Sequence, residues 1–203
     1  MRTLVIDTAT RACSVALYDS EAIVASHHEV IGRGHAERLL PIIAELPERG
    51  RADQVVVNVG PGSFTGIRVG VAAARALWLA WSVPVSGYGC LMLVAAMARA
   101  RIGRAVSVDV IMAGGHSEYF FQSFDDEGLA NTDAVSLVAD AIIAQAEAMA
   151  GDAGPLVMPD TTLRLDILPD AACWPLIANE TALLPSPIYG RAPDAKLPKG
   201  IAA

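Results

Sequence analysis

The first half of the chain alternates short apolar runs with polar or glycine-containing breaks. Three short strand-like runs at its start, the first apolar and β-branched and the third loosely alternating, are typical of an antiparallel meander. After a break at Gly32–Gly34, apolar residues at helical spacing predict an amphipathic helix. A later unbroken run of valines is typical of a strand that is buried on both faces. The predicted elements are strands at 3–7, 12–18, 21–29 and 55–59 and helices at 35–46, 65–81 and 88–101.

A similar order of elements begins again near residue 102. Strands are predicted at 104–112 and 117–124, with a third at 129–135, a mainly helical segment at 134–150 and a short strand at 155–158. This restart of a β-β-β-α block predicts an α/β protein with an internal duplication, its two units at 1–101 and 102–203. Seven of the 12 prolines lie in residues 159–203. They predict an irregular tail that lies along the body of the protein.

Composition adds a reason to expect a contact surface. Hydrophobic residues make up 53% of the chain and charged residues only 18%, which is apolar for a globular protein. The apolar runs are too short to cross a membrane, so the surplus predicts a surface that a partner covers.

Charge and cysteine content narrow the class of function. The 15 Lys and Arg residues are scattered and the net charge is −7, which disfavours nucleic-acid binding by this chain alone. Three widely spaced cysteines fit reduced thiols. The chain starts directly with a strand pattern and shows no signal-peptide core, so we expect a cytoplasmic protein.

The stretch "GPGSFTGIRVG" at residues 60–70 is the most distinctive motif. It follows a predicted strand and opens a helix, which is how phosphate-binding loops are built. A phosphate loop places Lys and Ser/Thr after its last glycine, but here Ile67 and Arg68 follow Gly66. Ser63 or Thr65 could still cap the helix and leave amides for an anion.

On a helix, the small residues of this segment form one stripe that Trp78 continues. Gly66, Gly70 and Ala74 are four residues apart and lie on one face. Such a stripe allows close approach either of the chain's own sheet or of a partner helix, and the spacing alone favours neither. Arg68 and Arg75 share another face, where they are either solvated or part of the polar rim of an interface.

Four segments together resemble one protein family. Besides residues 60–70, they are "LVIDTATRACSVALYD" (4–19), "GHAERLLPII" (34–43) and "SPIYGRAPDAKLP" (186–198). On these segments the chain resembles the TsaB (YeaZ) proteins of bacteria. The resemblance implies the actin-like ATPase (ribonuclease H-like) fold. The second unit departs from the family pattern, since Met112–Gly114 stands where Asp-Ala-Arg is usual, so we expect that unit to be eroded.

The resemblance also implies a function. TsaB proteins act with TsaD in forming N6-threonylcarbamoyladenosine at position 37 of tRNAs that read ANN codons. TsaD carries the metal and transfers the group, and the ATPase TsaE joins the complex. For this chain it implies a non-catalytic scaffold that pairs with a TsaD-like paralogue, forms a homodimer when alone, and meets tRNA only through the complex.

In the family, the first two helices pack against TsaD or a second TsaB. We therefore expect the interface here to comprise residues of the helices at 35–46 and 65–81. The expected interface residues are His35, Leu39, Ile42, Gly66, Arg68, Gly70, Ala74 and Trp78.

The residues themselves disfavour catalysis by this chain. Actin-like ATPases hold phosphate with Asp-x-Gly-Thr, but here Asp7-Thr8-Ala9-Thr10 places side chains where bare amides are needed. The catalytic paralogue has histidines at i and i+4, whereas His35 is followed by Leu39. We therefore predict no catalytic, cofactor-binding or metal-binding residue, and we expect Asp7 to bond nearby backbone amides.

Two enzymatic alternatives remain open. A nucleotide-binding enzyme of the actin-like ATPase or kinase type would use the turn at Ser63–Gly66 as an anion site. A protease would need a nucleophile and a base, and the spacing of residues identifies neither.

Overall fold

Two five-stranded sheets form the framework of the protein, and a computed structural model describes residues 1–153, 163–180 and 182–190. The strands are β1 (Arg2–Asp7), β2 (Ala12–Asp19), β3 (Ala22–Val30), β4 (Gln54–Gly60), β5 (Val85–Gly89), β6 (Val108–Gly115), β7 (Glu118–Phe124), β8 (Val135–Val138), β9 (Ala148–Ala150) and β10 (Arg164–Leu165). The helices are α1 (His35–Glu45), α2 (Phe64–Trp81) and α3 (Cys90–Ile102). Short 3₁₀ segments occur at Pro47–Gly50, Ala139–Ala141 and Ala171–Ile177.

The two sheets have the same strand order. The first runs β3-β2-β1-β4-β5 and the second, read in the same sense, β8-β7-β6-β9-β10. In each sheet the first three strands form an antiparallel meander, and the fourth strand pairs parallel with the first. The predicted α/β fold of the actin-like ATPase (ribonuclease H-like) type, built from tandem units, is confirmed.

The helix layer differs between the two units. α1 connects the third and fourth strands of the first unit, whereas the 3₁₀ segment Ala139–Ala141 and a loop make this connection in the second. The prediction of a mainly helical segment at 134–150 is therefore wrong. Val135–Val138 pairs with β7 and Ala148–Ala150 pairs with β6, so tertiary pairing overrides the helix preference of the alanines.

Three other predicted boundaries need correction. The strand predicted at 104–112 begins at Val108 and ends at Gly115. The helix predicted at 88–101 begins at Cys90, because the preceding residues form the unpredicted strand β5. The strand predicted at 129–135 begins only at Val135. The strand predicted at 155–158 lies outside the described residues.

α3 is buried between the sheets. Leu91, Leu93 and Val94 pack together with Val56 of β4 and Val108 of β6 in one apolar cluster. On the other face of the first sheet, α1 and α2 cover a second cluster that includes Leu4, Ile67 and Val57. The first sheet is thus covered by helices on both faces.

The C-terminal strap, residues 182–190, returns to the first sheet. Leu183 exchanges two backbone hydrogen bonds with Gly87 of β5, and the Ile188 amide donates to the Val59 carbonyl at 2.7 Å. The described part of the predicted tail therefore lies along the body of the protein. Its path leads over the end of β4 to the start of α2.

Candidate partner interface

The glycine-rich motif holds α2 tightly against the chain's own β1–β2 turn. Thr8 Oγ1 donates to the Gly66 carbonyl at 2.7 Å, and the Ser63 amide donates to the Ala9 carbonyl at 2.6 Å. A Cβ atom on Gly62 would overlap the Ala9 carbonyl oxygen, and one on Gly66 would overlap that of Thr8. The motif needs glycines because two backbone segments meet here without room for side chains.

The chain itself uses part of the anion-binding capacity at the first turn of α2. Ser63 is the N-cap residue, and its Oγ accepts from the Gly66 amide at 3.2 Å. The Ile67 amide donates to the Ser63 carbonyl. The predicted cap at Ser63 is confirmed, and it uses an amide that a phosphate would otherwise need.

The small-residue stripe faces the chain's own sheet. Gly66, Gly70 and Ala74 are buried, and a Cβ on Gly70 would lie 2.5 Å from Thr8 Oγ1 and 3.3 Å from a methyl group of Val57. Of the two roles that the spacing allowed, these residues serve internal packing. Their cost in helix propensity is offset by the close approach of the strands.

The expected interface residues of α1 are also turned inward. Leu39 and Ile42 are each 1% exposed and belong to the core beneath the helices. His35 is buried, with Nε2 3.1 Å from the Ala12 carbonyl oxygen. Of the eight residues expected at the interface, only Arg68 and Trp78 are exposed. The other six hold α1 and α2 on the sheet.

Besides Arg68 and Trp78, other residues of the two helices face outward. On α2, Phe64 is 55% and Leu79 76% exposed, and Leu40 of α1 is 54% exposed. Exposed alanines lie between these large apolar side chains. We call the set the helix-pair surface: Ala36, Leu40, Ala44, Phe64, Arg68, Ala72, Arg75, Ala76 and Leu79. The signal for it in the sequence is a second helical repeat at residues 64, 68, 72, 75 and 79.

Two arginines of this surface contact the C-terminal strap. Arg68 Nε donates to the Tyr189 hydroxyl at 2.9 Å, and its guanidinium carbon lies 3.6 Å from the centroid of the Phe64 ring. Arg75 donates to the Pro185 carbonyl from Nε and Nη2, at 3.2 and 2.8 Å. The sequence did not predict that the tail and α2 would meet.

Asp7, the residue that corresponds to a phosphate-site aspartate, is enclosed. It is 1% exposed and accepts hydrogen bonds from Asn58 Nδ2 at 2.6 Å, the Tyr88 hydroxyl at 2.7 Å and the Ala9 amide at 3.1 Å. Burial raises its pKa, while these hydrogen bonds act in the opposite direction. The expected bond to a nearby amide is confirmed. The bonds from Asn58 and Tyr88 were not predicted.

The described residues include no cluster of three or more His, Cys, Asp or Glu side chains arranged for a metal ion. His27 and His28 are neighbours on β3, so their side chains point to opposite faces of the strand. His27 Nε2 lies 3.2 Å from a carboxylate oxygen of Glu29, and His28 Nδ1 lies 3.8 Å from one of Asp170. Among the same residues, no helix is both long and apolar enough to cross a membrane.

Known proteins resemble the chain in sequence. The family model described as "TsaD: tRNA N6-adenosine threonylcarbamoyltransferase" matches residues 19–161. The protein TsaB of Escherichia coli K12, named for tRNA threonylcarbamoyladenosine biosynthesis, is 40% identical over 100 residues, which are 47% of this chain and 43% of that protein. TsaB of Bacillus subtilis is 32% identical over 104 residues, 49% of this chain and 45% of that protein. The matched region thus spans less than half the length of these curated relatives.

Solved structures extend the likeness over nearly the whole chain. YeaZ from Pseudomonas aeruginosa superposes with a TM-score of 0.80 at 27% identity, covering 93% of this chain and 99% of that one. A second structure from the same organism, described as similar to peptidase YEAZ, gives a TM-score of 0.79 at 28% identity, covering 94% and 99%.

Proposed function

Because the chain belongs to the TsaB (YeaZ) family, within the group that the TsaD family model describes, we propose that it is a non-catalytic scaffold subunit. It binds a TsaD-like chain and supports the formation of N6-threonylcarbamoyladenosine at position 37 of tRNAs that read ANN codons. The observation that carries this proposal is the apolar helix-pair surface on α1 and α2.

The helix-pair surface has the chemistry of a protein contact. Its exposed Phe64, Leu40 and Leu79 are large apolar side chains, and the alanines between them allow another helix to approach closely. A partner that covers these side chains removes their apolar area from water, which contributes about 25 cal/mol per Å². The two arginines of α2 lie beside this apolar area, as the polar groups of an interface do.

The enclosed carboxylate of Asp7 supports a role without catalysis. Its oxygen atoms are already engaged by Asn58, Tyr88 and Ala9, so a nucleotide-bound cation would have to displace these donors. The β1–β2 turn is likewise covered by Gly62 and Gly66. The transfer chemistry therefore belongs to the TsaD-like partner.

The remaining partners follow from the same proposal. A TsaE-like ATPase joins the pair, and the isolated chain forms a homodimer through the helix-pair surface. tRNA is held by the complex, since a chain of net charge −7 repels phosphate overall. Residues 1–101 form the subdomain that carries the partner-binding helices, and residues 102–203 form the smaller subdomain. The complex acts in the cytoplasm.

Co-purification with the TsaD-like chain of the same organism tests the proposal. Leu79→Glu places a charge on the helix-pair surface and is expected to weaken binding at least about tenfold. Leu79 is 76% exposed, so the free energy of unfolding should change by less than about 0.5 kcal/mol. Ile143→Glu is the matched control, since Ile143 is 72% exposed but lies in the β8–β9 connection.

A wild-type chain that does not bind the TsaD-like chain would contradict the scaffold role. Equal binding by wild type and Leu79→Glu would show that the helix-pair surface is not the contact. Micromolar binding of ATP and magnesium to the isolated chain in calorimetry would favour the nucleotide-binding alternative.

A further inference from the structure

The C-terminal strap is joined to the outward face of α2 at two points. Near its middle, the Pro185 carbonyl accepts two hydrogen bonds from Arg75. Near its end, the Tyr189 hydroxyl accepts one from Arg68. Both arginines of α2 are therefore positioned by a segment more than 100 residues away in the sequence.

The position of the strap itself is set by the sheets. Leu183 pairs with Gly87 of β5, and the Ile188 amide donates to the Val59 carbonyl. Gly190 packs so closely on the Phe120 ring that a Cβ there would lie 2.5 Å from a ring carbon. These contacts fix the strap on the sheets, independently of its bonds to α2. The strap therefore supplies a fixed point to which the Arg68 side chain is held.

The geometry of Arg68 leaves part of its guanidinium available. Nε is engaged by Tyr189, and the Phe64 ring lies against the guanidinium plane. The Phe64 and Tyr189 rings are 5.4 Å apart between centroids and remain 55% and 44% exposed. Neither terminal nitrogen of Arg68 has a hydrogen-bond partner among the described residues. α2 itself contains no acidic residue that could pair with them.

We propose that the strap is part of the partner surface, and that Arg68, held between Phe64 and Tyr189, binds a carboxylate of the TsaD-like partner. This inference rests on the proposed function and adds the chemistry of the contact. Arg68 is the contacting residue, and Tyr189 is a positioning residue that acts through it.

Several properties of the cluster suit a carboxylate. Guanidinium groups bind carboxylates through parallel, charge-assisted hydrogen bonds, and the two terminal nitrogens are placed for such a pair. The side chain is already ordered by two aromatic neighbours, so binding loses less conformational freedom than it would for a free arginine. Arginine and tyrosine are also enriched among residues that dominate interfaces.

A titration of the TsaD-like chain with wild type and variants, at about 50 and about 500 mM salt, tests the inference. Arg68→Ala is expected to raise Kd about 30-fold at low salt and to remove most of the salt dependence. Tyr189→Phe keeps the ring and removes only the hydroxyl, and it is expected to raise Kd about fivefold. Arg51→Ala, an exposed arginine before β4, is the matched control and should leave Kd unchanged.

The combined variant separates positioning from a structural role. If Tyr189 acts through Arg68, Tyr189→Phe has no further effect on Kd in the Arg68→Ala background. Independent, multiplying effects of the two changes would overturn the positioning role.

Other results distinguish failure of this inference from failure of the proposed function. If Tyr189→Phe lowers the melting temperature of the isolated chain but Kd stays at the wild-type value, the cluster only fastens the strap and the inference is wrong. Unchanged binding and salt dependence in Arg68→Ala would also overturn it, while the scaffold role stands. A wild-type chain that does not bind at all contradicts the proposed function instead.

Discussion

The two sheets have one strand order but different coverings on their outer faces. α1 and α2 cover the first sheet with a large apolar cluster that includes Leu39, Ile67 and Val71. On the second sheet, Ile142 of the β8–β9 connection packs with Ile111, Phe121 and Met149 in a cluster that is much smaller among the residues the structure describes. Strand pairing thus survives without the α1-type helix. The outward face of α1 and α2 is therefore not needed to hold the sheet together and is available to bind a partner.

The way each connection is fastened differs as well. In the first unit, glycines bring the α2 backbone against Thr8 and Ala9, so that a whole helix is fixed by shape. In the second unit, a buried carboxylate of β6 holds the β8–β9 connection. Asp109 Oδ2 accepts hydrogen bonds from the Gln145 and Ala146 amides at 2.7 and 3.1 Å. The attachment of α2 thus depends on close backbone packing, whereas the attachment of the β8–β9 connection depends on hydrogen bonds.

The largest expected effect concerns packing in the first unit. Gly66→Ala forces a methyl group into the Thr8 carbonyl oxygen, and because the obstacle is backbone, α2 has to shift. We expect the free energy of unfolding in urea to fall by at least about 3 kcal/mol. Gly89→Ala is the control, since its Cβ would meet its nearest neighbour at 3.8 Å. A Gly66→Ala protein as stable as wild type would show that shape does not fasten α2.

An intermediate effect is expected in the second unit. Asp109→Ala leaves the Gln145 and Ala146 amides without their acceptor, which should cost about 2 kcal/mol. Hydrogen exchange should speed up in residues 139–147 and stay unchanged in α1. Asp140→Ala, an exposed acidic residue of the same connection, serves as the control. If the β8–β9 connection were equally protected from hydrogen exchange in wild type and Asp109→Ala, Asp109 would not be what holds it, and the proposed difference between the two units would be wrong.

The smallest expected effect concerns the ion pair between β3 and α1. Arg38 donates to Glu29 from Nε and Nη2 at 2.7 and 3.0 Å. These bonds, with a smaller contribution from His27, lower the pKa of Glu29 from 4.5 to about 2. Since the folded-state pKa is lowered, the pair stabilises α1 above about pH 4.5, and this contribution is lost as the pH falls through about 2.

Carboxyl NMR titration checks this pair. In Arg38→Met the pKa of Glu29 should return towards its ordinary value, and the contribution of the pair to stability should be absent at neutral pH. Arg33→Met, a change at an exposed arginine of the β3–α1 connection, should leave the pKa of Glu29 unchanged. The second unit has a similar exposed pair, in which Arg104 lowers the pKa of Glu147, so this effect tests a feature that the units share.

Much of the first unit could be predicted because its signals are local. The opening meander, the valine strand β4 and the helix after Ser63 each follow from periodicity and capping over a few residues. The segment at 134–150 was misread because the pairing of Val135–Val138 with β7 depends on residues distant in sequence. The hydrogen bonds of Asn58 and Tyr88 to Asp7 could not be predicted either, because these residues are also distant from Asp7 in sequence.

The sequence by itself determined that α2 has a stripe of small residues and that the chain has apolar surface to spare. Only the tertiary structure decided which way the stripe faces. Both faces of α2 are apolar, one with Gly66, Gly70 and Ala74 and the other with Phe64 and Leu79, so hydrophobic periodicity cannot orient the helix. Volume decides instead: only the small face fits against Thr8, and the large side chains are left outside, where the C-terminal strap meets them.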